Sequence, residues 1–365
     1  MTLRTVHFVM PGGVADPAAP SGGNAYDRRI SLDLPGFGWE VRRHLVPGTW
    51  PRPGSAHRAE LARLLRRLPE GAVVLLDGLV ACGVPAIVVP HARRLRLAVL
   101  VHLPLGDETG LPPEVAAELD AREREVLRAA GAVIATSDWA VGRLVAHHGL
   151  AADRVHAATP GADIAPLAHG TDGVSRLLCV AAVTPRKGQH RLVEALAAAR
   201  DLPWTCTCVG ALTHDPSYVS RLRALIDRHG LTDRVHLAGP QAGAALDASY
   251  AAADLMVLTS YAETYGMAVT EALARGVPVL ATGVGGVPEA VGRAPDGSVP
   301  GTLVPPEDPA ALAAGLRGWL TEPDVRRRLR SAARTRRTAL DGWATTARTL
   351  AGVLHRLPTE PWRAV

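Results

Sequence analysis

Short apolar, strand-like runs alternate with helical runs twice along this chain, and that alternation constrains the fold more than any other feature. The first half begins with TVHFVM and continues through runs such as HRAELARLLRRL, AVVLLDGL, RLAVLVHL and EVAAELDAREREVLRAA. The second half restarts the pattern with RLLCVAAV, HRLVEALAAAR and WTCTCVGAL. Alternation of this kind predicts parallel, doubly wound α/β sheets with helices on both faces.

A segment rich in Pro, Gly and Asp interrupts the alternation at 159–176, TPGADIAPLAHGTDGVSR, and predicts a linker. We therefore expect an N-terminal domain over 1–168 and a C-terminal domain over 172–340. A last helix within 341–365 is expected to pack back toward the N-terminal domain. Ligands of such sheets gather at the carboxyl ends of the strands, so a cleft between the two domains is the expected site.

The composition favours a cytoplasmic protein of ordinary globular type, with 47% hydrophobic and only 4% aromatic residues. The most apolar window, 71–90, contains Asp77 and a Gly-Val-Pro break, so it predicts a strand and a helix start rather than a membrane span. The N-terminus predicts a first strand rather than an export signal. Four cysteines, two of them alternating on one strand, predict buried thiols with neither a disulfide nor a zinc site.

Arginine has replaced lysine almost everywhere: the forty basic residues comprise thirty-nine arginines and Lys187. A compact ammonium on a flexible stem differs from a planar guanidinium, and phosphate sites use it as a point charge. Chance retention is the alternative. Lys187 is nevertheless the first candidate for an anion site.

Seven arginines crowd the segment 322–337, and the net charge of the chain is +5. A solvated helix is the interpretation we favour, because the segment lacks aromatic residues that could stack on bases and lacks a large apolar face. No nucleic-acid partner is expected. Peripheral contact with the cytoplasmic face of a membrane through 322–337 stays open as an alternative, and the sequence does not determine an oligomeric state.

Several chemistry-bearing residues come directly after predicted strands, where a ligand of an α/β sheet would lie. They are Gly22 and Gly23 in a predicted loop after the first strand, His102 after RLAVLVH, Lys187 after LLCVAAVTPR, and Glu263 after DLMVLTSYA. Each has an ordinary alternative, since paired glycines turn chains, a lone histidine is often a core residue and a loop lysine is usually solvated. Their shared position favours a common site.

The stretch YAETYGMAVTEALARGVPVLATGVGGVPE, residues 261–289, places Glu263 and Glu271 on either side of a predicted helix start. Glutamates eight apart are uninformative alone, because roughly 0.6 such pairs are expected by chance in this composition. With its surroundings the stretch resembles the retaining glycosyltransferases of family 4. The likeness also includes TPRKGQHRLVEAL, RVHLAGP and LVPPEDP in the same order, and it implies the GT-B fold of two Rossmann-like domains.

The resemblance implies a role for each candidate residue in binding a nucleotide-diphosphate sugar. Glu263 would hydrogen-bond the transferred sugar, Glu271 the ribose, and Lys187 the diphosphate, while His102 would contact the donor sugar and Gly22 and Gly23 would let the backbone approach the phosphates. The helix start would offer its N–H groups to the phosphates. Its residues are Tyr265, Gly266, Met267 and Ala268. Asn24, Tyr26 and Asp27 could face the acceptor.

The chain departs from the family pattern at Ala181 and Ala182, where Gly-Arg is usual, and Arg186 is the candidate replacement cation. No Asp-x-Asp occurs, and Pro288 disrupts the dinucleotide-like GVGGVP, so neither a metal nor a cofactor is expected. The resemblance implies a retaining, metal-independent transfer of a hexosyl group to an unidentified acceptor hydroxyl. Glu263, His102 and Lys187 would be the catalytic residues.

A UDP-hexose is the favoured donor, with GDP-mannose as the alternative, and the acceptor is undetermined. A nucleotide-sugar epimerase or a non-catalytic relative on the same fold is the competing function, because a fold does not fix an activity.

Overall fold

The computed structural model describes residues 3–16, 20–108, 110–171 and 175–357, which form two compact units. The first unit contains the chain up to Ala15, Gly22–Gly161 and the chain from Trp343. The second contains Ala162–Gly342 together with a short segment at 16–21. Residues 358–365 of the predicted last helix, and residues 172–174 of the predicted linker, lie outside the described residues.

The described part of the first unit holds a six-stranded parallel sheet in the order β2-β1-β3-β4-β5-β6. Its strands are β1 (Arg4–Pro11), β2 (Trp39–Val46), β3 (Val73–Asp77), β4 (Arg96–Val101), β5 (Ala132–Ala135) and β6 (Val155–Ala157). Its helices before the second unit are α1 (Gly22–Asp33), α2 (Ser55–Arg67), α3 (Gly78–Ala81), α4 (Pro85–Val88), α5 (Pro113–Ala129) and α6 (Asp138–His148).

Central strands of this sheet are buried on both faces, as parallel strands covered by helices must be. Every residue of β3, VVLLD, and of β5, AVIA, is buried. Helix α2 instead buries Leu61 and Leu65, four residues apart, so one stripe of its surface packs on the sheet. Asp77 ends β3 and caps α3 by accepting hydrogen bonds from the Leu79 and Val80 amides.

The second unit repeats the architecture with a six-stranded parallel sheet, over its described residues, in the order β12-β11-β10-β7-β8-β9. Its strands are β7 (Ser175–Val180), β8 (Trp204–Val209), β9 (Val235–Gly239), β10 (Leu255–Leu258), β11 (Val279–Thr282) and β12 (Gly301–Val304). Its helices are α7 (Gln189–Ala197), α8 (Pro216–Arg228), α9 (Ala244–Ala251), α10 (Met267–Ala274), α11 (Val287–Val291), α12 (Pro309–Thr321) and α13 (Pro323–Arg336). The predicted fold class is confirmed.

The last described helix, α14 (Trp343–Arg356), belongs to the first unit although it follows the whole of the second. The Trp343 ring lies 5.6 Å from the Tyr26 ring, and His355 lies 4.7 Å from Trp39, measured between ring centroids. The buried side of α14 is thus part of the first unit's core.

One element was missed at the sequence level. Gly22 and Gly23 were expected in a loop, but they are the first residues of α1, which runs to Asp33. The segment GGNAYDRRISLD has few apolar residues and starts with two glycines, which are poor helix formers, so its periodicity was weak. The four cysteines are buried free thiols.

Candidate active site

The second unit joins the loops that follow two neighbouring strands, β7 and β10. Leu177 of β7 pairs with Leu255 of β10, so the two strands end at the same edge of the sheet. The Thr259 hydroxyl, just beyond β10, donates to the backbone oxygens of Lys187 at 3.1 Å and of Gly188 at 3.0 Å. This hydrogen bonding fixes the backbone that carries Lys187 against the backbone that leads to Glu263.

Gly188 explains why the two loops can approach so closely. Its φ is +65°, and a Cβ added there would lie 2.2 Å from the Thr259 carbonyl oxygen. Any larger residue would be strained by its backbone conformation and would clash with the neighbouring loop. The glycine after Lys187 is therefore a requirement of the site's geometry.

Lys187 and Glu263 form an ion pair in which Nζ lies 2.5 Å from Oε1. Glu263 is buried, the Lys187 side chain is 15% exposed, and the Ser260 hydroxyl donates to the same Oε1 at 2.7 Å. Burial raises the pKa of Glu263, but the charges of Lys187 and Arg186 outweigh it and hold that pKa below its ordinary value. The carboxylate is consequently ionised at neutral pH and held in one orientation.

Arg186 also contacts the loop that carries Glu263. Its guanidinium donates to the Ala262 carbonyl at 3.1 Å, and its own carbonyl accepts from the Tyr261 amide at 2.8 Å. Two cations thus adjoin Glu263, with a fixed backbone between them. The edge of this sheet concentrates positive charge next to a hydrogen-bond acceptor.

Helix α10 begins at Met267, after Gly266 with φ of +99°. The first amides of a helix have no partner within it, so those at Met267 and Ala268 lie at the positive end of the helix dipole. Tyr265 is instead a core residue, and burial raises its pKa to about 12. The predicted Tyr265–Ala268 start is therefore a backbone feature rather than a set of side chains.

Glu271 projects from α10 as a half-buried acid. The Tyr250 hydroxyl donates to its Oε2 at 2.7 Å. Burial raises the pKa of Glu271 despite that hydrogen bond and the charge of Arg275. The pKa values of Glu263 and Glu271 thus shift in opposite directions, although the two acids lie within one short stretch of sequence.

His102 in the first unit follows β4 and lies among acids. Asp77 pairs with Leu100 across β3 and β4, which brings its carboxyl to the end of the strand that leads to His102. His102 Nε2 is hydrogen-bonded to Asp27 Oδ1 at 2.8 Å and lies 3.5 Å from Asp77 Oδ2. Gly23 packs on the imidazole so closely that an added Cβ would lie 3.0 Å from His102 Cδ2.

The negative charge of Asp27 and Asp77 is neutralised by bound protons rather than by neighbouring cations. Burial raises the pKa of Asp27 to about 7, and burial together with the neighbouring Asp27 raises that of Asp77 to about 8. Burial lowers the pKa of His102, although Asp77 opposes that shift. The three ligand atoms lie within 4.8 Å of one another, but the hydrogen bond between His102 and Asp27 already accounts for their approach.

One expectation for the first unit is wrong. The sequence suggests that Asn24, Tyr26 and Asp27 could face an acceptor, yet Tyr26 and Asp27 are both fully buried. The Tyr26 hydroxyl donates to the Ala158 carbonyl at 2.8 Å, and Asp27 supports His102. Both residues point inward from α1, a helix that the sequence pattern does not predict.

The sequence analysis also does not predict that Asp27 and Asp77 are partners of His102. The signal was present for Asp77, because VVLLDG places an acid at the carboxyl end of a strand that is otherwise apolar. An ionisable group in that position is seldom a core residue.

The Arg-rich segment 322–337 contains α13, and several of its side chains bind within the second unit. Their acceptors are the Trp319 oxygen for Arg326, Asp254 for Arg330, the Val291 oxygen for Arg336 and the Ala274 oxygen for Arg337. These contacts fasten the helix to its own unit. Among the residues that the structure covers, no helix has the length and apolar character needed to span a membrane.

Comparison with known proteins gives a consistent result. The model of the family described as glycosyl transferases group 1 matches residues 170–336. The D-inositol 3-phosphate glycosyltransferase of Pseudarthrobacter chlorophenolicus is 31% identical over 257 residues, which cover 66% of this chain and 59% of that protein. D-inositol 3-phosphate glycosyltransferase 2 of Catenulispora acidiphila is 33% identical over 272 residues, covering 70% of this chain and 61% of that one.

The chain thus spans about 60% of the length of the curated relatives it matches.

Solved structures support the fold over nearly the whole chain. Sucrose-phosphate synthase from Thermosynechococcus elongatus has a TM-score of 0.77 at 23% identity, covering 97% of this chain and 99% of that one. Anabaena HepE, in complex with UDP and glucose, has a TM-score of 0.75 at 21% identity, covering 96% and 99%. The chain belongs to the group 1 glycosyl transferases, as a family-4-like protein with the GT-B fold of two Rossmann-like units.

Proposed function

We propose that this protein transfers a hexosyl group from a nucleotide-diphosphate sugar to an acceptor hydroxyl, with retention of configuration at the anomeric carbon. The observation that carries the proposal is the Lys187–Glu263 ion pair at the carboxyl edge of β7 and β10, within the part of the chain that the family model matches. Family membership supports the reaction class, and the geometry of that edge supports the donor class.

A nucleotide sugar has an anionic diphosphate between two hydroxylated rings, and the second unit offers a group of suitable chemistry for each part. Lys187 and the amides at the start of α10 suit the phosphate oxygens. Glu263 accepts hydrogen bonds from the transferred sugar, and Glu271 does so from the ribose. His102 is assigned to the donor sugar through the family resemblance.

In the proposed reaction the acceptor oxygen bonds to the anomeric carbon on the face from which the phosphate leaves. The bond between that carbon and the phosphate oxygen breaks, and the departing phosphate oxygen takes the acceptor's proton. Lys187 offsets the negative charge that develops on the phosphate, which is the kind of interaction that usually contributes most to catalysis. No side-chain nucleophile, cofactor or divalent ion takes part in these steps.

Arg186 is proposed as the second cation on the diphosphate, in place of the arginine that the family carries where this chain has Ala182. The support is proximity: its guanidinium donates to the carbonyl of Ala262, the residue before Glu263, at 3.1 Å.

UDP-hexoses are the favoured donors, with GDP-mannose as the alternative, and HepE in complex with UDP-glucose is a neighbour that supports this order. The relatives' names make D-inositol 3-phosphate the first acceptor to test.

The deciding experiment incubates the full chain with UDP-glucose, UDP-N-acetylglucosamine or GDP-mannose, with and without acceptor, in excess EDTA. We expect slow donor hydrolysis without acceptor, a new glycoside with acceptor, and retained anomeric configuration by NMR. Conversion of the donor to its epimer without acceptor would identify an epimerase instead. A loss of donor turnover of more than about tenfold in EDTA, restored by Mg²⁺, would contradict the metal-independent mechanism.

A further inference from the structure

A second group of ionisable side chains lies in the first unit where α5 meets α6. Asp120 and Glu123 are one turn apart on α5, and His147 and His148 end α6. Neither the reaction proposed above nor the support of His102 uses them. They combine two imidazoles with two carboxylates, a donor set that first-row transition metals favour.

The distances bring three of these four side chains together. Ligand atoms of Asp120, His147 and His148 lie within 4.8 Å of one another. His147 Nε2 contacts Asp120 Oδ1, while the other carboxylate oxygen of Asp120 accepts from Arg124 at 2.9 Å. Arg124 thereby orients the carboxylate so that Oδ1 faces the histidines, as supporting hydrogen bonds do around metal ligands.

His148 supplies the second and independent observation. It is 1% exposed, and neither ring nitrogen has a hydrogen-bond partner among the described residues. Glu123, fully buried, also leaves Oε1 without a partner there. A buried polar atom without a partner costs about 1 to 3 kcal/mol, so a folded protein seldom retains three in two neighbouring side chains unless something else binds them.

Glu123 places a carboxylate beside His148. Its Oε2 lies 3.3 Å from Nε2, as an ion pair that lacks the geometry of a hydrogen bond. A buried negative charge next to the imidazole favours a cation at this position.

We propose that α5 and α6 hold a zinc ion through Asp120, His147 and His148, with Glu123 as the buried negative charge beside His148. His147 is exposed, so the site lies at the surface of the first unit. The ion would fasten the consecutive helices α5 and α6 to each other, so its role is structural. The expectation of no zinc rested on the cysteines, and this site uses none of them.

The test uses the full chain after removal of metal by a chelator. One equivalent of Co²⁺ should give the visible absorption of a tetrahedral N/O site, and Zn²⁺ at about a hundredfold over its Kd should raise the Tm of the first unit by about 5 °C or more. His147→Gln and Asp120→Asn should each weaken Co²⁺ binding by at least about tenfold and abolish the Tm shift.

Matched variants decide between this site and other histidines. His214→Gln, at an exposed position, and His102→Gln, in the other three-ligand cluster, should leave Co²⁺ binding unchanged. Binding that survives His147→Gln and Asp120→Asn, or the absence of both the cobalt spectrum and the Tm shift, would overturn the proposal. Because His147 is exposed, its variant tests the site even if His148→Gln does not fold.

Discussion

Glu263 and Asp77 are both buried carboxyls near the carboxyl ends of parallel strands, yet their pKa values shift in opposite directions. Glu263 adjoins Lys187 and Arg186, and its pKa is lowered. Burial, together with the neighbouring Asp27, raises the pKa of Asp77 to about 8, although His102 opposes the shift. Burial raises the pKa of both carboxyls, and two adjacent cations reverse that effect only for Glu263, so burial alone does not decide whether a buried acid keeps its proton.

The two clusters therefore have different uses. A carboxylate fixed by a cation offers a permanent acceptor and leaves that cation beside any anion that binds. A pair of acids that share protons with an imidazole instead holds the ring in place and responds to pH. The three predictions that follow alter one cluster at a time.

The largest expected effect comes from removing the cation of the second unit. Lys187→Ala should lower kcat/KM by about ten- to more than a hundredfold, because a charge-assisted contact of about 1.5 to 3 kcal/mol is lost. It should also raise the pKa of Glu263, since burial then acts with less opposition, and the acidic limb of the pH–rate profile should move upward. Steady-state kinetics across pH measure both effects.

Lys187→Arg is the matched control, because it keeps the charge and changes its shape. A planar guanidinium does not reach the oxygens that a mobile ammonium reaches, so we expect poor recovery of activity. Full activity in Lys187→Arg would show that the single lysine carries no special role. An unmoved acidic limb in Lys187→Ala would contradict the electrostatic account of Glu263.

An intermediate effect is expected on stability in the first unit. Asp27 and Asp77 have folded pKa values above their unfolded value of about 3.9, so the native state binds more protons between about pH 4 and pH 8. Their stabilising contribution is present below pH 4 and is lost as pH rises through 8. The free energy of unfolding should therefore fall as pH rises across this range. Asp77→Asn, which retains the cap on α3, should reduce the slope of that free energy against pH by up to about 1.4 kcal/mol per pH unit.

Urea unfolding at several pH values tests this expectation, with the exposed Asp233→Asn as a control that should leave the slope unchanged. A slope that is equal in wild type and Asp77→Asn would mean that the acid pair is ionised in the folded protein. Buried acids would then be ionised in both units, and the contrast between Glu263 and Asp77 would not hold.

The smallest expected effect comes from crowding His102 without changing any charge. Gly23→Ala places a Cβ 3.0 Å from His102 Cδ2, so the ring must move by a few tenths of an ångström. We expect about a two- to tenfold loss of kcat, from about 0.5 to 1.4 kcal/mol, and a change in the His102 NMR signals. Gly13→Ala is the control, because its added Cβ meets nothing within 4 Å. Equal activity of both variants would show that His102 does not need its present position.

The sequence predicted the parts of this protein that depend on periodicity and on strand ends. Lys187, Glu263 and His102 all follow strands, so their position at the carboxyl ends of the strands could be inferred from the sequence. That β7 lies beside β10 is known only from the structure. The ion pair between Lys187 and Glu263 could not, because it depends on how two loops pack around Gly188 and Thr259.

The first unit shows a different limit. Helix α1 has weak helical signals and is stabilised by tertiary packing of residues such as Tyr26 and Ile30. Missing it concealed Asp27, and with it the acid pair that supports His102. Contacts among residues 27, 77 and 102 depend on three separate elements, and no local pattern encodes such a set.

Helix α14 has a consequence for the order in which the protein acquires its structure during synthesis. A ribosome releases residues from the N-terminus onward, so the whole of 162–342 emerges before the helix that packs on Tyr26 and Trp39. The second unit can therefore complete its core while the first, although begun earlier, still exposes the apolar surface that α14 will cover. The nascent chain is then vulnerable to aggregation and proteases through residues 22–161 until α14 has emerged and packed on them.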